Sequence, residues 1–555
     1  MVKARVSRSL AHRFNPLAEP ESEVMEPELL TRLRSPDDSE REIACISAGT
    51  LRSSPDPDPL IKVLIERISD PSAQVRLAAL QACDALTDVF HQNLLGAGIV
   101  NLLEFCLNGY FSLEGTLYES EVERQTAVMI ACAGLELLSS LCEHSSILLT
   151  QLTNAAFISR IFAYLATGSE RLKLVTSCMG LLQVMSEDNH QFLASAPQDI
   201  VKRLVGLGQE LQAGQLREQA AVVTVLCNYL LLKDDGQMTK DIVVPSVLRL
   251  ISHNLWQEYT DSVQPNLKEG TSAGKAANIW IEASAAVEST LEIMTNLLYS
   301  EEEDEASEFF ACLVSRESVG TLMSLALGLP LETTLQLSEL FEEGLQGAIF
   351  SVQLTAISVL KNIILSGARL IGADEAFSVS TKFHQLSVAW FERRDEVMSK
   401  EHIDQLISGS LALVQICLKR LSLPLPLDWV STVLALANAG HCETAVNAVA
   451  LLSCLNKTPH TIDFNREVCR QLLICCRSKS LALVNESLNA FFDIYCEENY
   501  DEVLKSEGVI ALMTEGLPHF LSMVRKEVNP ELKDSAELTA TNLRDFLQYK
   551  QSHMR

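Results

Sequence analysis

Residues 26–86 read EPELLTRLRSPDDSEREIACISAGTLRSSPDPDPLIKVLIERISDPSAQVRLAALQACDAL, and this stretch repeats itself. Ser35-Pro36 matches Asp70-Pro71, Arg41 matches Arg76, Ala44 matches Ala79 and Leu51 matches Leu86, each at an offset of 35 residues. Each copy reads as a helical hairpin. A first helix carries apolar residues (Leu29, Leu30 and Leu33, then Leu60, Val63, Leu64 and Ile68), and a second is opened by Ser-Pro or Asp-Pro. Asp70 is suited to cap free amides, with Pro71 at the first helical position, where a missing N–H costs nothing. Val75, Ala78, Ala79, Ala82 and Leu86 follow at three- and four-residue steps, so the second helix has one apolar face whose alanines permit close approach of a neighbour. One such hairpin cannot bury both its faces, so the pattern implies a stack.

Working outward, apolar helical windows recur as far as residue 549, punctuated by Gly, Pro or acidic turns, with no alternating strand-like segment between them. At about 40 residues per repeat the ordered part holds roughly ten to twelve repeats. The fold class is therefore all-α, a helical-repeat solenoid. Three stretches break the pattern. Residues 1–25 switch from basic (Lys3, Arg5, Arg8, Arg13) to acidic (Glu19, Glu21, Glu23) and read as a flexible arm. Residues 260–278 are expected to form a polar loop between amino-terminal repeats at 26–259 and carboxyl-terminal repeats at 279–555. Glu301, Glu302, Glu303, Asp304 and Glu305 form an acidic turn over 301–308. Loops inserted into a solenoid often lie on its binding face, which makes the last two candidate contact segments.

The chain has 44 Lys plus Arg against 72 Asp plus Glu, a formal net charge of −28 over 555 residues. Phosphate binding by the whole surface is excluded on that balance, and a basic protein partner fits it. The 15 Cys lie mostly in apolar contexts with no CxxC pair and no Cys/His zinc spacing, so they read as reduced thiols, and no metal or cofactor is expected. No secretory signal is legible, and the longest charge-free stretch, Gly344 to Leu360, falls short of a membrane span.

No enzyme motif stands out. Gly206-Leu-Gly208 has no preceding strand and no Lys-Ser/Thr pair, and His384 has no evident catalytic partner, so a non-enzymatic protein is expected. Asparagines within helices carry a different signal. Asn228, Asn296 and Asn362, with Asn489, sit where an amide can donate and accept together, and so hold the backbone of an extended peptide or bond a neighbouring turn. Trp256, Trp280, Trp390 and Trp429 are further candidates to line a binding groove, with core packing the commoner role for any single Trp.

The chain resembles the symportin family. The likeness rests on the arm ending Arg13-Phe-Asn-Pro-Leu, the repeats with Arg41 and Arg76, and Leu291-Glu-Ile-Met-Thr-Asn-Leu-Leu-Tyr-Ser-Glu-Glu-Glu-Asp. It rests also on Glu486-Ser-Leu-Asn-Ala-Phe-Phe-Asp-Ile and Asn542-Leu-Arg-Asp-Phe-Leu-Gln-Tyr. The resemblance implies a right-handed α-solenoid of armadillo repeats followed by HEAT repeats. It implies a monomeric import adaptor and chaperone, shuttling between cytoplasm and nucleus. Its cargo would be basic ribosomal proteins five and eleven of the large subunit, its contact with 5S ribosomal RNA only indirect, and its carrier a transportin-type import receptor. Arg5, Arg8, Arg13, Pro16 and Leu17 would be the receptor signal, with Pro-Leu standing where the usual signal has Pro-Tyr. Glu301 to Glu308 would be a short counterpart of the acidic insertion that contacts protein eleven. A general HEAT scaffold or regulatory subunit is the alternative.

Overall fold

The computed structural model describes residues 26–554 apart from 52, 54–55, 104–106, 108–119, 167–170, 212–214, 270–272, 300–306, 340–342, 368–372, 397–399, 439–440, 458–460 and 498–499. Every regular element among the described residues is helical. Two compact units divide them, one from residues 26–253 with 285–293, the other from residues 254–284 with 294–554.

In the first unit the helices are α1 (Glu26–Leu33), α2 (Asp38–Ala48), α3 (Asp58–Arg67), α4 (Ala73–Ala85), α5 (Thr87–Gly96), α6 (Glu121–His144), α7 (Ala155–Ala166), α8 (Arg171–Ser186), α9 (Ile200–Glu210), α10 (Leu216–Leu232) and α11 (Val244–Ile251). Helices α2, α4, α6, α8 and α10 each pack on the next, while α1, α3, α5, α7 and α9 lie against them as a second layer. The second unit is built likewise from the two ends of α12 (Ala273–Leu298), whose residues 285–293 belong to the first, and from α13 (Arg316–Leu327), α14 (Glu343–Gly367), α15 (Ala373–Glu392), α16 (Lys400–Arg420), α17 (Val430–Ala437), α18 (Cys442–Leu452), α19 (Ile462–Cys475), α20 (Leu481–Tyr495), α21 (Val509–Lys526) and α22 (Pro530–His553). There α13, α14, α16, α18, α20 and α22 form the continuous row, backed by α15, α17, α19 and α21.

The repeat at 26–86 has a physical core. Arg41 is buried, donates Nε and Nη2 to the Asp70 carboxylate at 2.9 Å each, and gives Nη1 to the carbonyls of Ser35 and Pro36. Arg76, 35 residues on, gives Nη1 to the carbonyls of Asp70 and Pro71 in the same way. Asp70 also accepts from Arg67 and from the Ser72 N–H. Burial works to raise its pKa, but the bonds from Arg41 and Ser72 and the charges of Arg41 and Arg67 hold it below the ordinary carboxylate value. Helix α4 starts at Ala73, so Pro71 lies in the turn rather than at the first helical position, and Asp70 serves mainly as a counter-ion. Close approach of the hairpins depends on Gly49, where a Cβ would stand 3.1 Å from the Cα of Ala82.

One expectation about the chain's middle needs correcting. The described part of 260–278 is helical rather than a polar loop: Tyr259–Val263 is a π-helical turn, Gln264–Glu269 is α-helical, and α12 begins at Ala273. A second π-helical turn, Thr239–Val243, precedes α11, which ends at Ile251. Both turns come from one local pattern repeated 20 residues apart, Gln237/Gln257, Asp241/Asp261, Val243/Val263 and Pro245/Pro265. Each Gln side chain bonds the Asp four residues on, each Val is fully buried, and each Pro withholds the N–H that a regular helical turn would need. Ser246 and Asn266, just after the prolines, donate to the carbonyls four residues back. Trp256, Tyr259 and Val263, at three- and four-residue steps, face inward and leave Asp261 and Ser262 outside, which is why so polar a segment is helical.

The membrane-span reading is also revised. Val122–His144 and Gly344–Ser366, 23 residues each, are long and apolar enough to cross a bilayer, yet 61% and 56% of their most apolar windows are buried among neighbouring helices. Gln346 and Gln353, the polar residues that interrupt the second, are themselves buried and donate to carbonyls of Thr334 and Leu327.

Candidate functional site

A helix in either continuous row has neighbours before and after it and a backing helix behind, which leaves one side open. In the first unit that open side carries amides and apolar groups: Ile46, Gln81, Gln125, Met129, Gln183 and Asn228 are exposed or half-buried along successive helices. Fixed charge is sparse on this stripe. In the second unit the corresponding stripe shows Lys361 and Asn362 on α14, Lys419 on α16, and Glu486, Asn489 and Asp493 on α20. Burial raises the Glu486 and Asp493 carboxyls against the opposing pull of Lys419, and burial lowers the Lys361 ammonium. These charges are partly stripped of water and gain most from an opposite charge brought to them.

The helix asparagines divide into two groups. Asn228 Nδ2 donates to Ser186 Oγ at 3.2 Å, on the preceding helix of the row. Asn489 Oδ1 accepts from Thr539 Oγ1 at 3.1 Å on the following one. Asn447 donates to Ser408 Oγ, and Asn485 to Ser535 Oγ. These are amide–hydroxyl rungs between consecutive helices. Sequence reading missed Asn447, Asn485 and the paired hydroxyls; the signal was a Ser or Thr 39 to 50 residues away from each Asn.

Asn296 and Asn362 form the other group. The Asn296 Oδ1 is buried with no hydrogen-bond partner among the described residues, in the last turn of α12. Asn362 is half-buried in α14 and makes no hydrogen bond among the described residues. Neither amide makes the rung to a hydroxyl on the next helix that the first group makes among the described residues.

Trp256, expected at a groove, is only 9% exposed, gives Nε1 to the Ser324 carbonyl at 2.9 Å and packs on Trp280. It is a core residue, the indole N–H having found its partner inside. Trp280, Trp390 and Trp429 are buried too. Arg5, Arg8, Arg13, Pro16 and Leu17, and the acids Glu301, Glu302, Glu303, Asp304 and Glu305, lie outside the described residues.

His384 and most of the described cysteines are turned inward. His384 is buried against Trp429, ring centroids 4.2 Å apart, and burial lowers its pKa to about 4, against a smaller raising pull from Asp428. Burial pushes the thiols of Cys45, Cys227 and Cys469 up to about 12. A thiol so placed is a small hydrophobe rather than a nucleophile.

Stacked helical pairs with an open row of amides define a repeat scaffold that offers a long surface to a partner chain. Comparison with known proteins agrees with that class. Residues 341–554 match the family described as SYO1-like, TPR repeats. Symportin 1 of Chaetomium thermophilum is 32% identical over 117 residues, a match that spans 20% of this chain and 17% of the relative's length. Both matches are to symportin-type proteins, the family its motifs resemble, and the chain spans only about a sixth of the curated relative's length in that match. Among solved structures, an engineered protein aligns over 93% of this chain and 98% of its own at 11% identity and a TM-score of 0.36. A structure concerning a phosphorylation switch between cadherin and beta-catenin aligns over 95% and 99% at 12% identity and a TM-score of 0.40.

Proposed function

We propose that this chain is a non-enzymatic nuclear import adaptor and chaperone for basic ribosomal proteins of the large subunit. The cargo is protein five, with protein eleven as a second, and 5S ribosomal RNA is met only through them. Asn296 and Asn362 hold the main chain of the cargo, and the acids from Glu301 to Glu305 meet its cations. Arg5, Arg8, Arg13, Pro16 and Leu17 are the address read by a transportin-type receptor, and the adaptor shuttles between cytoplasm and nucleus. The observation that carries this reading is the likeness of residues 341–554 to SYO1-like repeats, taken with the formal charge of −28. An anionic scaffold speeds encounter with a cationic chain and keeps it from binding elsewhere until it is delivered.

The test is co-elution. The purified chain and the large-subunit protein five should leave a sizing column together at low salt and separate as salt rises. Separate elution at low salt, or equal capture of an acidic control protein, overturns the reading in favour of a general scaffold.

A further inference from the structure

The first two hairpins turn in the same way but carry different chemistry at one position. In the second, Asp70 lies in the turn between α3 and α4; in the first, 35 residues earlier, Ser35 stands in its place between α1 and α2. The backbones correspond. The Ser35 N–H donates to the Arg32 carbonyl at 3.1 Å, as the Asp70 N–H does to that of Arg67 at 3.0 Å. Arg41 holds the carbonyls of Ser35 and Pro36 as Arg76 holds those of Asp70 and Pro71. The side chains correspond too, since Ser35 Oγ accepts from the Asp37 N–H at 3.2 Å where Asp70 Oδ1 accepts from the Ser72 N–H at 3.0 Å. What Ser35 lacks is the charge. Arg67 reaches the Asp70 carboxylate at 2.9 Å, whereas its counterpart Arg32, also three residues back and half-buried, has no hydrogen bond or ion pair among the described residues. Arg34, exposed beside Ser35, has none either.

We propose that Ser35 is a phosphorylation site, its phosphate taking the place that the Asp70 carboxylate fills in the next turn. The γ-phosphoryl group of a nucleoside triphosphate passes to Ser35 Oγ. The bond from its phosphorus to the oxygen bridging the β-phosphate breaks, the diphosphate leaves, and the hydroxyl proton goes to the base of the modifying kinase. Pro36 makes that kinase a proline-directed one. Ser35 is half-buried and Pro36 exposed, whereas Asp70 is 3% exposed, so the first turn keeps its hydroxyl within an enzyme's reach. The chain's other Ser-Pro and Thr-Pro pairs, Ser54-Pro55 and Thr458-Pro459, have Leu51 and Leu455 where Ser35 has Arg32, so neither repeats this arrangement. A phosphate brings a charge of about −1.5 to −2 and three acceptor oxygens, enough to engage Arg32, Arg34 and the Asp37 N–H together. Asp37 and Asp38 oppose it, but both carboxylates are already engaged by the Ser39 N–H at the start of α2. The modification clamps α1 to α2 reversibly, as Asp70 does permanently for the hairpin that follows.

The experiment treats the folded full chain with a proline-directed kinase and ATP and maps the sites by mass spectrometry. Ser35 should be modified, and Ser35→Ala should remove that signal alone. Hydrogen–deuterium exchange over residues 26–48 should slow by about tenfold on modification and stay unchanged over 216–232. Arg32→Gln with Arg34→Gln should leave exchange of the unmodified chain as it is and cancel most of the slowing in the modified one. Ser35→Asp, which restores a carboxylate, should give part of the slowing without any kinase. The proposal is overturned if Ser35 is untouched in the folded chain and modified only after denaturation. It is overturned equally if the modified chain exchanges as slowly without the two arginines as with them, because the phosphate then has no partner there. Faster exchange over 26–48 on modification also refutes it, since repulsion from Asp37 and Asp38 would then outweigh the arginines.

Discussion

Replacing Asp70 by Asn tests whether the first repeats are held by charge. The carboxylate is 3% exposed and accepts four bonds, two from Arg41, one from Arg67 and one from the Ser72 N–H, all between 2.9 and 3.0 Å. Asn keeps the shape and loses the charge, which strands the Arg41 guanidinium in a buried site with only the Ser35 and Pro36 carbonyls for company. Removing one partner of a buried pair costs about 3–5 kcal/mol. In a stack that cost is felt locally, so the hairpins over 26–86 should open more often while later repeats hold. Amide exchange over α2 and α4 should rise by roughly a hundredfold to a few thousandfold, a decade for each 1.4 kcal/mol. The sign with pH follows from the depressed carboxyl: the stabilisation is complete above the ordinary carboxylate range and fades as pH falls through the lower folded value. The Asn variant should therefore lose the acid sensitivity of this region. A change under about 1 kcal/mol in exchange-derived stability refutes the reasoning. So does a double replacement, Arg41→Met with Asp70→Leu, that costs as much as the single one, because an apolar pair of similar volume should be close to neutral.

The remaining expectations concern separate sites. His384 is held neutral, so its contribution is whole above pH 6.5 and is lost as pH falls toward about 4, about 2 kcal/mol at pH 5; His384→Phe should abolish most of the drop between denaturation midpoints at pH 7 and pH 5. Asn228→Ala removes a rung and should lower stability by about 1 kcal/mol with cargo affinity unchanged. Asn296→Ala and Asn362→Ala should each weaken cargo binding by about tenfold in calorimetry with little effect on melting. Brief alkylation of the native chain followed by mass spectrometry should modify Cys312, Cys442 and Cys496, the exposed thiols among the described residues, well before the buried Cys83 or Cys178.

How much was legible in the sequence varied with the range of the interaction. The hairpins at 26–86 were readable because Arg41 and Arg76 bond carbonyls five and six residues away, so their signature is local. Helix placement was readable too, since burial of a stripe imposes its own period. The fate of each Asn was not. Asn228 and Asn296 sit in similarly apolar helices, and only the position of Ser186 on a neighbouring helix decides that one amide is satisfied while the other is left open. Trp256 misled for the same reason, its N–H partner Ser324 lying 68 residues on. The segment 260–278 misled because Asp261, Ser262 and Lys268 outweighed, by composition, the buried Trp256, Tyr259 and Val263 that hold it helical.

The paired π-helical turns bear on how this chain should be compared with its relatives. A π turn takes in one residue more than an α turn and leaves the helix on either side in phase. Thr239–Val243 and Tyr259–Val263 therefore each absorb a surplus residue without disturbing the inward-facing positions around them. Relatives that lack Pro245 or Pro265 should be one residue shorter at those points, so their alignments call for single-residue gaps inside a helix, where gaps are ordinarily forbidden. An alignment made without them slides every position between the two prolines by one, which assigns buried residues to the surface and makes a faithful repeat look degenerate.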